Sequence, residues 1–82
     1  MIHYLSNQKV EVDIHSMGYT DAKRFLQRFL TTVNGSFREV TVIHGYSSGT
    51  VQRDMVRNDL KHHRIRSKVL SLNPGITILY LK

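Results

Sequence analysis

Lys9-Val10-Glu11-Val12-Asp13-Ile14 alternates strictly between polar and apolar positions, the period-2 signature of a half-buried strand. Val10, Val12 and Ile14 share one face, while Glu11, Asp13 and His15 share the other. Beyond a turn at Ser16-Met17-Gly18-Tyr19 the period changes. Ala22, Phe25, Leu26, Phe29, Leu30 and Val33 recur at helical spacing as one broad apolar stripe, with Lys23, Arg24, Gln27 and Arg28 outside it. Thr20 is the expected N-cap and Asn34-Gly35 the stop. Glu39-Val40-Thr41-Val42-Ile43, rich in β-branched residues, predicts a second strand. A glycine-bearing loop runs from His44 to Gly49, and Thr50 opens a second helix reaching about His62. Its narrower stripe is Val51, Met55, Val56 and Leu60. Ser67–Leu72 and Ile76–Leu81 read as closing strands around Asn73-Pro74-Gly75, whose turn chemistry predicts a hairpin.

The order β-α-β-α-β-β predicts an α/β fold: a two-layer sandwich on a mixed four-stranded sheet whose first strands are parallel. Residues 9–82 make a single domain. Residues 1–8 form an N-terminal arm, either loose or docked through Tyr4 and Leu5.

Composition narrows the function. The 82 residues include no cysteine, which removes disulfide frameworks and thiolate-ligated metal sites. Hydrophobic content of 40% is enough for a core. No apolar run approaches the roughly 20 residues that span a bilayer, and Met1-Ile2-His3-Tyr4-Leu5 does not read as a leader, so a cytoplasmic protein is expected. Lys and Arg number 12 against 6 Asp and Glu, a formal charge of +6 that points to an anionic partner.

The strand ends carry the candidate chemistry, because ligands of open α/β sheets gather outside the carboxyl ends of parallel strands. Asp13 and His15 sit at one such end and His44 at the next, a carboxylate and two imidazoles suited to acid–base work. Gly45 and Gly49 allow close backbone approach. Ser47, Ser48 and Thr50 add hydroxyls, and the start of the second helix offers free N–H groups to a phosphate. Arg53, Arg57, Lys61 and Arg64 would draw a basic ridge along that helix, a track for a nucleic acid backbone, with Tyr46 able to stack on an unpaired base. Blander readings compete. His44-Gly45 can be a tight turn with the imidazole bonded to a neighbouring carbonyl, and the ridge a solvated face. His62 and His63 are adjacent, about 100° apart on a helix, and make a poor metal pair.

Val12-Asp13-Ile14-His15 before a helix, followed by Val40-Thr41-Val42-Ile43-His44-Gly45 with Gly49 four residues on, resembles the Smr (small MutS-related) domain. That family carries a Leu-Asp-Leu-His-Gly segment and, some 25–30 residues later, a His-Gly-Lys-Gly-Ser/Thr-Gly type loop; here the two histidines stand 29 apart. The resemblance implies a fold similar to the C-terminal domain of bacterial translation initiation factor three. It also implies nucleic-acid binding, with endonuclease activity on DNA or RNA in several members. By position, Asp13 and His15 match the acidic–histidine motif, and His44, Gly45 and Gly49 the glycine-rich loop. Ser16 stands in place of the first motif's glycine, and Tyr46-Ser47 in place of Lys-Gly, while Ser48 keeps the hydroxyl. The missing lysine removes a phosphate-binding charge, so the resemblance supports binding more directly than cleavage. The expected partner is DNA or RNA, free or ribosomal. Mg²⁺ or Mn²⁺ is the cofactor to consider, although the motif offers a single carboxylate.

Overall fold

The computed structural model describes residues 1–45 and 49–82. Ile2–Tyr4 forms β1 and Lys9–Asp13 forms β2; Tyr19–Thr32 is the helix α1, and Glu39–Ile43 is β3. Val51–Asp54 forms the short helix α2, which runs on as a π-helical turn, Met55–Asp59. Ile65–Leu70 and Ile76–Leu81 are β4 and β5. The sheet order is β1-β2-β3-β5-β4. Among the described residues only β2 and β3 are parallel; the other pairs are antiparallel. A parallel pair needs a crossover, and α1 supplies it.

The alternation sets the layers. Val10, Val12, Val40, Val42, Leu79 and Leu81 line one face of the sheet. They meet Ala22, Leu26, Phe29 and Leu30 of α1, and Met55, Val56 and Leu60 from the second helical segment, in one buried cluster. Truncating a fully buried member such as Leu26 to alanine costs about 2–5 kcal/mol.

Four expectations need correction. The sheet has five strands, not four, because the first residues pair with β2 as Ile2↔Val12, His3↔Glu11 and Tyr4↔Val10. The arm covers what would otherwise be an open row of β2 backbone groups. The second helical segment ends at Asp59, short of His62. Its π turn bonds the Leu60 N–H to the Met55 carbonyl, which keeps both side chains in the core. An α-turn would rotate Leu60 about 140° away from Met55. The Lys68 ammonium then donates to the carbonyls of Arg57 and Leu60, stopping the segment there. The fourth strand begins at Ile65 rather than Ser67, since Ile65 packs on the core and pairs with Leu81. Finally, α1 starts at Tyr19 with Gly18 as N-cap, two residues ahead of Thr20; the Gly18 carbonyl accepts the Ala22 N–H. No helix among the described residues is long and apolar enough to cross a membrane.

Candidate active site at the strand ends

The parallel register aligns Asp13 with Ile43, so the segments that leave β2 and β3 depart side by side. The Ile14 N–H still bonds to the Ile43 carbonyl, 2.9 Å. One step further, His15 and Gly45 meet. Gly45 has φ +73°, in the left-handed region, and a Cβ placed on it would lie 3.3 Å from the His15 Cβ. Glycine is therefore required there for conformation and for space. The β4–β5 turn backs this junction: the Gly75 carbonyl accepts the N–H groups of both His44 and Gly45, at 2.9 and 3.0 Å.

Asp13 and His15 form a closed pair. The Asp13 Oδ1 accepts the His15 backbone N–H at 3.0 Å and lies 2.5 Å from the imidazole Nδ1. A proton on Nδ1 leaves the Nε2 lone pair free, on a side chain that is 61% exposed. Burial alone would raise the Asp13 carboxyl, but the hydrogen bonds and charge of His15 outweigh it and hold the group below its ordinary range.

His44 is placed differently. By strand alternation it follows Val40 and Val42 to the core side, and it is 2% exposed. Its Nδ1 donates to its neighbour's carbonyl, Gly45, at 3.0 Å, and its Nε2 accepts from the Thr77 hydroxyl at 2.9 Å. The Arg57 guanidinium donates to the same Thr77 oxygen at 3.0 Å. Burial holds His44 below the usual imidazole range; the Gly45 carbonyl opposes that, and Arg57 and Arg53 reinforce it. Both ring nitrogens are occupied, which is the tight-turn arrangement.

A cleft of about 190 Å³ opens beside these residues, lined by His15, Met17, Gly18, Tyr19, His44, Gly49, Val51 and Gln52. Of the sequence-predicted residues, the fold thus brings together Asp13, His15, His44, Gly45 and Gly49. Thr50 caps the short α2 through its carbonyl, with no side-chain cap bond. Tyr46, Ser47 and Ser48 lie outside the described residues.

The basic ridge is dispersed. Arg53 pairs with Asp54 at 3.3 Å and Arg57 with Thr77. Arg64 lies past the helical segment and donates to the Val33 and Phe37 carbonyls at 2.9 and 3.3 Å, tying down the α1–β3 connection. Lys61 alone of the four is exposed.

Three residues at the site escape the motif reading. The Gln52 amide donates to the carbonyls of Ile14 and Met17, pinning the loop that carries His15. Its Oε1 is buried and unpartnered among the described residues. Those partners are more than 30 positions away, so no local signal marks Gln52. Tyr19 donates its hydroxyl to Asp59 at 2.6 Å, joining the start of α1 to the end of the π turn. Thr77 did carry a signal: a polar residue on the inward face of a strand otherwise facing Leu79 and Leu81 to the core.

The family model of the Smr domain matches residues 12–77, a span that starts in β2, ends in β5 and contains every residue lining the cleft. No curated protein matches the chain at a significant level.

Proposed function

This chain belongs to the Smr domain family, which is nucleic-acid-binding and nuclease-like, and on that premise we propose that it binds a nucleic acid strand and cleaves a phosphodiester bond at His15. The carrying observation is the Asp13–His15 pair at the mouth of the cleft. Asp13 orients the ring, selects the tautomer with a free Nε2 and stabilises the imidazolium that forms when Nε2 takes a proton.

RNA is the substrate that suits a single exposed acid–base group. His15 Nε2 takes the proton of a ribose 2′-hydroxyl, and the 2′-oxygen attacks the adjacent phosphorus. The bond from phosphorus to the 5′-oxygen breaks, and the proton held on Nε2 passes to that departing oxygen. The products are a 2′,3′-cyclic phosphate and a 5′-hydroxyl. Such acid–base assistance is worth about 10²–10⁴ in rate. His44 acts as a positioning residue: its fixed ring holds the Gly45 turn against His15. The phosphate rests by the Gly45 and Gly49 backbone and Thr50, in the positive field of Arg53 and Arg57 that His44 also feels.

Mg²⁺ or Mn²⁺ as a resident ion does not fit the donors present. Among the described residues no three His, Asp or Glu side chains stand together, and the hydrogen bonds to Asp13 occupy Oδ1, leaving one carboxylate oxygen.

The test compares wild type with Asp13→Ala and His15→Ala on labelled RNA and DNA, measuring binding and cleavage on the same strands. Cleavage lost with binding retained supports the reading. Equal cleavage in all three proteins removes the pair from the chemistry. The burial of His44 favours one alternative, a non-catalytic module that holds nucleic acid, ribosomal RNA included; it predicts binding without cleavage in wild type.

A further inference from the structure

The geometry points to α1, rather than the second helical segment, as the track for the nucleic acid strand, with single-stranded RNA as its occupant; this rests on the nucleic-acid-binding reading above. Of the four cations expected to form a ridge, Arg57 and Arg64 bond within the fold and Arg53 pairs with Asp54, and Arg38 and Lys68 also serve the fold. Arg38 donates to the carbonyls of Gly35, Phe37 and Lys82, and Lys68 to those of Arg57 and Leu60. A guanidinium committed to backbone carbonyls has fewer donors left for phosphate.

The outer face of α1 differs. Arg24 and Arg28 stand opposite its buried stripe of Ala22, Leu26, Phe29 and Leu30, with half-buried Lys23 on the flank. None makes a salt bridge among the described residues. Two shallow depressions flank Arg24: one of about 270 Å³ lined by Tyr19, Thr20, Lys23, Arg24 and Gln27, and one of about 180 Å³ lined by Asp21, Arg24, Phe25 and Arg28. Tyr19 lines both the first depression and the His15 cleft, so the two surfaces meet at its ring. The Lys23 ammonium lies 6.0 Å from the Tyr19 ring centre, and Asp59 holds the Tyr19 hydroxyl, so this joint is braced.

From Tyr19 to Arg28 the helix rises about 13 Å at 1.5 Å per residue. At 3.4 Å per stacked nucleotide, that is room for about four nucleotides of one strand. An unpaired strand is the form required, because the 2′-oxygen must swing into line with the bond it breaks, and base-paired stacking opposes that. The chemistry at His15 and the charge on α1 therefore call for the same partner.

The experiment measures binding of a labelled single-stranded RNA 12-mer, and a DNA of the same sequence, across a salt series. Arg24→Gln/Arg28→Gln is compared with Lys9→Gln/Arg66→Gln, an equal loss of charge at exposed positions elsewhere. Gln keeps helix propensity, and circular dichroism confirms the fold. The α1 pair should weaken RNA binding at least tenfold and lower the salt slope by about 1.4, at 0.7 per phosphate contact. The control should stay within threefold of wild type. Wild-type binding untouched by the α1 pair, or weakened equally by the control, overturns the track while leaving the binding function standing. A loss confined to DNA overturns RNA as the occupant. Wild type that binds neither strand overturns the broader reading and the track with it.

Discussion

Gly45 and His15 meet so closely that a Cβ on the glycine would stand 3.3 Å from that of the histidine. The two motifs are separated in sequence, yet they touch at a position where one partner has no side chain. Gly45→Ala should therefore displace His15 as well as strain the loop. A left-handed backbone costs a non-glycine residue about 1–2 kcal/mol. Urea unfolding should show that loss, and cleavage should fall further than stability alone explains, read as kcat at temperatures where the variant remains folded.

Removing the Thr77 hydroxyl tests the buried chain from Arg57 to His44. Thr77→Val keeps the shape but leaves the guanidinium and the His44 Nε2 without their shared partner. The expected loss is about 1–3 kcal/mol, the cost of orphaned buried polar groups. Denaturant midpoints measure it directly. An unchanged midpoint would show that the chain contributes nothing to the fold.

Stability should fall as the solution is acidified below neutrality. An unfolded imidazole titrates near 6.5, whereas burial holds His44 lower in the fold, and His62 shifts in the same direction for the same first cause. Between the folded and unfolded values the unfolded chain binds more protons, so the stabilisation is complete above 6.5 and is lost as pH descends toward the folded value. Urea midpoints from pH 8 to pH 5 should decline, and His44→Gln should flatten part of that decline. The Asp13 contribution enters only below its ordinary value of 3.8, outside this range.

Arg64→Ala separates a structural cation from a binding one. Its two carbonyl partners, Val33 at the end of α1 and Phe37 just before β3, predict a stability loss of about 1.5–3 kcal/mol, typical of charged hydrogen bonds. RNA affinity and its salt slope should stay as in wild type. A lower slope would return Arg64 to the binding surface.

Gln52→Leu should loosen the loop that carries His15, since the amide bonds to Ile14 and Met17 disappear. Cleavage should drop with little change in strand affinity. Equal losses in both would make Gln52 a direct contact to the strand.

Local pattern carried much of this protein. The alternation through Val10, Val12 and Ile14 and the stripe through Ala22, Leu26 and Leu30 are set by side-chain periodicity, which is why β2 and α1 were legible within one or two residues. The nearness of Asp13 and His15 was legible too, although the pair forms in the turn past β2, where Asp13 Oδ1 accepts the His15 N–H, rather than on a shared strand face. Features that depend on distant partners were not. The arm became β1 because β2 had an edge to cover, and the second helical segment took a π turn because Met55 and Leu60 both had to reach the core. Arg64 and Lys68 left the basic surface because free carbonyls at helix ends were within their reach. Sequence alone determined the order of elements from β2 onward, the net positive charge and the neighbouring placement of Asp13 and His15 at the first strand end. Only the tertiary structure decided which cations face solvent and which histidine is exposed, because burial and hydrogen-bond partners are set by residues far along the chain.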